Sequence, residues 1–124
     1  MKKSEREYVV RIGPADRYRH THIKERGKIV FFRVQYETKI DDAWHPVVRY
    51  DTAHGFAHRD ILSKDGTLKK TPLFNQDYND ALTFAENDLK SNWRYYEPVA
   101  QIHVLPIKSV LQDDGRTTLS IIEN

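Results

Sequence analysis

The chain contains no cysteine. Disulfides, thiolate nucleophiles and zinc sites built on cysteine are therefore excluded, and the composition is compatible with a reducing, intracellular setting. No apolar run approaches the ~20 residues needed to cross a bilayer. The opening Met1-Lys2-Lys3-Ser4-Glu5-Arg6-Glu7 lacks the apolar stretch of a signal peptide. A cytoplasmic location with no membrane partner is expected. Internal repeats, low-complexity tracts and heptad patterns are also missing, which excludes solenoids and coiled coils.

What remains is an ordinary globular composition. A chain of 124 residues, 39% hydrophobic and 31% charged, is expected to form one domain over residues 1–124, with a core over 8–97 and a C-terminal extension over 98–124. The net charge of +2 is unevenly spread: residues 1–39 hold eleven Lys and Arg against five Asp and Glu, and residues 40–124 hold nine against thirteen. A basic first third of this kind suits nucleic acid, an acidic partner or simply a solvated surface.

Hydrophobic periodicity organises the middle of the chain. Residues 1–7 read as polar and frayed, and Tyr8 to Ile12 as a short strand ended by Gly13-Pro14. In an extended segment, His20 and His22 fall on one face, a beginning for a metal site that lacks an assignable third ligand. Between Lys28 and Ile40, Val30, Phe32, Val34 and Tyr36 fall on one face and Arg33, Gln35, Glu37 and Lys39 on the other, with Ile29 and Phe31 breaking the alternation at its start, predicting a half-buried antiparallel strand. Trp44 to Asp51 returns beside it, and Phe56 to Leu62 reads as a further strand. Tyr78, Ala81, Leu82, Ala85, Leu89 and Trp93 keep the spacing of one helical face, predicting a helix over about residues 76–96 that stops before Pro98. Trp93 is expected as a core anchor. The runs Ala100 to Leu105 and Thr117 to Ile122 are β-prone and suit a terminal hairpin or an edge strand. The expected fold is α+β: an antiparallel meander sheet of four to five strands packed by one long helix.

Residues 49–60, RYDTAHGFAHRD, concentrate two histidines, two aspartates, two arginines and a tyrosine around Gly55. Histidines can act as acid and base near neutral pH, and arginine binds phosphate bidentately. The stretch therefore suits metal-independent ribonuclease or nucleotidyl and phosphoryl transfer chemistry without a cofactor. In that reading His54, His58, Asp51 and Asp60 form the catalytic set, while Arg49, Tyr50 and Arg59 bind an RNA or nucleotide substrate. An alternative uses His54, His58, Asp51 and Asp60 as ligands of a divalent metal, as zinc, manganese or iron would accept. A third reading is structural: Arg49 pairs with Asp60, a histidine bonds to backbone, and the domain is a non-enzymatic module that binds a partner protein or nucleic acid through the 49–60 hairpin and the basic N-terminal third.

The run Val48 to Asp60, followed by Asp65-Gly66, Lys70-Thr71-Pro72-Leu73 and Asp88-Leu89-Lys90-Ser91-Asn92-Trp93, resembles a family of small prokaryotic proteins of unknown function. Tyr50, Asp51, Gly55 and His58 are more distantly similar to TumE-type toxins of toxin–antitoxin systems, with Asp60 standing where that pattern has a further histidine. The distant resemblance implies a toxin-like protein encoded beside a helix-turn-helix antitoxin.

Overall fold

The computed structural model describes residues 2–63, 66–73, 77–104, 107–111 and 117–121; at His54 and beyond residue 98 only the backbone is described. Six strands pair in sequence order as one antiparallel meander: β1 (Lys3–Gly13), β2 (Asp16–Glu25), β3 (Lys28–Ile40), β4 (Ala43–Asp51), β5 (His58–Ser63) and β6 (Gly66–Pro72). The helix α1 (Tyr78–Val104) packs on one face, against β3 and β4 above all. A separate hairpin of β7 (Ile107–Leu111) and β8 (Thr117–Ile121) closes the described chain.

The α+β class and the meander are as expected; the strand count is six, above the expected four to five. The strands not expected are β2 and β6, and β1 is longer than expected. Lys3 to Glu7 are paired from end to end with Thr21 to Glu25, so the opening residues belong to a long edge strand whose side chains are solvated. Hydrogen bonding to a neighbour holds such a strand without an apolar signal. The β2–β3 and β3–β4 connections are two-residue turns with positive φ at both positions, Arg26 (52°) with Gly27 (79°), and Asp41 (51°) with Asp42 (64°). Such turns match the twist of the flanking strands.

One face of the sheet carries the core: Tyr18, Phe32, Val34, Tyr36, Val48 and Tyr50 meet Ala81, Leu82, Ala85, Leu89 and Trp93 of the helix. Val30, expected on that face, is 43% exposed. A bulge opposite Ile23 and Lys24 shifts the register, so Ile29 turns inward instead. The helix begins where Asp77 accepts a hydrogen bond from Asp80 N at 2.8 Å, an N-cap. It runs past the expected end at residue 96 and includes Pro98 and the start of the β-prone run at Ala100. Proline interrupts one backbone hydrogen bond but does not by itself forbid the next turn. Trp93 is the anticipated anchor, buried and edge-on to Tyr36 at 6.2 Å.

Candidate functional site

The period of two in β-structure divides residues 49–60 between the two faces of the sheet. Tyr50 and Arg59 sit opposite one another on the helix side. There Tyr50 donates to Asp88 Oδ2 at 2.6 Å, Tyr96 donates to the same oxygen at 2.7 Å, and Arg59 donates to Tyr96 at 3.2 Å. Asn92 completes the network on Asp88 Oδ1 at 2.8 Å. Burial and the Asp88 hydrogen bond both push the Tyr50 pKa upward, so its hydroxyl stays protonated. This half of the motif docks the helix.

Arg49, Asp51, His58 and Asp60 lie on the other, open face. His58 Nε2 is 2.9 Å from Asp51 Oδ1 and 3.4 Å from Asp60 Oδ2, and its Nδ1 is 3.3 Å from the Phe56 carbonyl oxygen. All three neighbours are acceptors. The ring is 1% exposed, so in this arrangement His58 pins the β4–β5 connection and offers no free edge to a substrate. Asp51 also accepts from Ala53 N at 3.1 Å, and Thr52 Oγ1 accepts from Phe32 N at 3.1 Å. These bonds shape the short 3₁₀ turn Ala53–Gly55, in which Gly55 takes a φ of 87°. The turn carries His54, whose side chain lies outside the described residues. Arg49 and Arg59, both expected to bind the substrate, point to opposite faces and do not converge. Arg49 donates to Gln35 Oε1 at 2.8 Å, although Asp60 is its cross-strand neighbour. Among the described residues no group of three histidine or carboxylate side chains is arranged to hold a metal ion.

The registers align these groups in two rows across the open face. One row runs Val9, Arg19, Gln35, Arg49, Asp60 and Lys70; the next runs Glu7, Thr21, Arg33, Asp51, His58 and Pro72. The carboxylates of Glu37, Asp51 and Asp60 are buried beneath their cations, with Arg17 at 2.7 Å from Glu37, Arg33 at 3.3 Å from Asp51 and Lys70 at 3.8 Å from Asp60. Arg11, Arg19, Arg33 and Lys70 are exposed, so cations form the outer layer. Exposed acids on this face, Glu5 and Glu7, stay at the β1 edge. Trp44 lies at one end under the Arg17 guanidinium, 3.9 Å from the ring centre, with Arg11 and Lys39 each at 5.9 Å.

Sequence reasoning missed a third cluster, on the helix side near β1. Glu86 accepts hydrogen bonds from Tyr18 at 2.8 Å and Tyr8 at 3.2 Å. His20 Nδ1 lies 3.2 Å from its other oxygen, within ion-pair range though not aligned for a linear hydrogen bond. His20 Nε2 is 2.6 Å from His22 Nδ1. Burial disfavours the charged carboxylate, but the contacts with His20, Tyr18 and Tyr8 outweigh it and hold the Glu86 pKa at about 2. Burial first, then the Glu86 charge, pushes Tyr8 up to about 12. Burial, His20, Lys24 and Arg6 together lower the His22 pKa, which keeps that ring neutral at pH 7. The His20-Thr21-His22 spacing was the signal for this cluster. Its third member came from a helix 64 residues further on and carried no local mark.

Residues 1–98 match the family described as Domain of unknown function (DUF7718). The chain belongs to that family. No curated protein and no solved structure matches the chain. The DUF7718 match is consistent with the expected family of unknown function and shows no link to toxins. It also spans the whole six-stranded sheet and most of α1.

Proposed function

We propose that this DUF7718 domain binds single-stranded RNA on the open face of its sheet, as the RNA-holding part of a toxin-like protein. The observation that carries the reading is the cationic outer layer over buried carboxylates. Arg19, Arg33, Arg49 and Lys70 come from four different strands, and each of the three carboxylates beneath faces a cation. Strands lie about 4.8 Å apart, so Arg19 and Arg49, two strands apart, stand roughly 10 Å from one another, and Arg33 stands between the two columns one row away. Cations spread at this spacing on a flat surface track a backbone of successive phosphates better than they grip one isolated ion. Trp44 at the end of the rows offers an aromatic edge for a base. The basic N-terminal third and the 49–60 hairpin, separate features in the sequence, thus meet on one surface.

Fluorescence anisotropy with a labelled single-stranded oligoribonucleotide tests the reading. Saturable binding that weakens with salt is expected, and Arg19→Glu with Lys70→Glu should lower the salt slope, by roughly 0.7 for each phosphate left without its cation. Both positions are exposed, and because Lys70→Glu removes the cation 3.8 Å from the buried Asp60, a melting curve of the double variant accompanies the titration. Absence of saturable binding at low salt, or an unchanged slope in the double variant, would sink the proposal. Growth arrest on expression of the intact chain, relieved by the same substitutions, is the outcome expected for the toxin-like role.

A further inference from the structure

The Glu86, His20 and His22 cluster opens on a cavity of about 270 Å³ lined by Tyr8, His20, His22, Lys24, Asn79, Thr83 and Glu86, among others. It lies on the opposite side of the sheet from the cationic rows and is independent of them. Three features set it apart from ordinary core polarity. Two histidine rings, 1% and 8% exposed, are joined nitrogen to nitrogen at 2.6 Å. The inner ring sits against a carboxylate that two tyrosine hydroxyls keep ionised. The outer ring lines an open space whose rim supplies an exposed ammonium, Lys24, and the polar side chains of Asn79 and Thr83.

We propose that this cavity is an acid–base site for a small phosphate-bearing ligand, with Lys24 holding the phosphate and His22 accepting a proton from the ligand. The tautomers follow from the partners. His20 Nδ1 faces the Glu86 carboxylate and carries hydrogen, so its Nε2 accepts from His22 Nδ1–H. His22 Nε2 is then left with its lone pair. When a ligand O–H gives its proton to that lone pair, a new N–H forms at His22 Nε2, and the His22 Nδ1 proton can pass to His20 Nε2. The positive charge thereby moves one ring inward, next to Glu86, while the ligand oxygen keeps the electron pair. The charged and titratable groups around His22 are Arg6 and Tyr8 from β1, His20 and Lys24 from β2, and Glu86 from α1. Arg6 and Lys24 oppose charge on His22 in the empty site, and an arriving anion removes that opposition. Ligand binding therefore primes the base.

The size fits a phosphate with a few further heavy atoms, at the lower end of ligand cavities. The test uses the full chain labelled with ¹⁵N at histidine and inorganic phosphate as the probe, with chloride at matched ionic strength as control. Phosphate should shift the His22 and His20 ring resonances saturably, leave His45 unmoved, and raise the His22 pKa by about one unit. Lys24→Met, at an exposed position, should weaken phosphate binding about tenfold. Glu86→Gln should retain phosphate binding but abolish the coupled shift of His20. No saturable shift at His22, or full affinity in Lys24→Met, would overturn the proposal even if Glu86→Gln failed to fold. Neither result depends on RNA binding at the open face.

Discussion

Replacing Glu86 with glutamine gives the sharpest test of the buried cluster, because the expected effect has a defined pH window. The Glu86 pKa lies at about 2 against an ordinary value of 4.5. That difference corresponds to about 3 kcal/mol of preference for the ionised form in the folded state. The side chain is 18% exposed and faces a water-accessible cavity, so solvent screening reduces the usable part to about 1–2 kcal/mol. The sign follows from the depressed pKa. Above pH 4.5 the carboxylate is ionised in both folded and unfolded chains, and its stabilisation is fully present. Between 4.5 and about 2 the unfolded chain takes up a proton that the folded chain does not, and the stabilisation is lost as pH falls. Glutamine has no such proton. Urea denaturation of both proteins from about pH 2.5 to pH 7 should therefore show a gap of about 1–2 kcal/mol at neutral pH that closes in acid. The lowered His22 pKa adds acid sensitivity to both proteins, more to the variant because the Glu86 charge supports protonated His22, so the closing of the gap is read below pH 4.5. A gap of constant size over that interval, or one that widens there, would refute the reasoning.

Other substitutions probe the remaining contacts. A β-carbon added at Gly13 would lie 2.8 Å from two atoms of the Trp93 ring, so Gly13→Ala should cost about 1–3 kcal/mol and change tryptophan fluorescence. His58→Ala would leave Asp51 and Asp60 buried without their shared partner, and thermal unfolding should show a loss of about 3–5 kcal/mol; an unchanged Tm would remove the structural role assigned to that ring. Asp88→Ala should cost about 2–3 kcal/mol in chemical denaturation by stranding the buried Tyr50 hydroxyl, whereas Tyr96→Phe, which leaves Asp88 with other donors, should cost about 1 kcal/mol.

Much of the architecture was legible because it rests on local periodicity. Alternation in β3, the returning β4 and the helical stripe from Tyr78 to Trp93 each follow from side-chain direction along one element, and they sufficed for an α+β meander with one helix. Turn chemistry did not disclose that Lys3 to Gly13 and Asp16 to Glu25 pair as a long hairpin, because the charged β1 edge is held by backbone hydrogen bonds and β2 buries Tyr18, His20 and His22 rather than an aliphatic run. Nor could alternation reveal the bulge that exchanged Ile29 for Val30 in the core.

The candidate sites divide in the same way. The amino-acid sequence by itself determined that charged, titratable side chains would crowd residues 49–60 and that His20 and His22 would share a face, since both depend only on composition and a period of two. Tertiary structure alone decided which of them meet. Strand register put Tyr50 and Arg59 under the helix and Asp51, His58 and Asp60 on the open face, where arginines from β2, β3 and β4 line up beside them. Helix docking brought Glu86 to His20 from the far end of the chain. Long-range pairing of this kind depends on where elements come to rest against each other, and no window of neighbouring residues contains it.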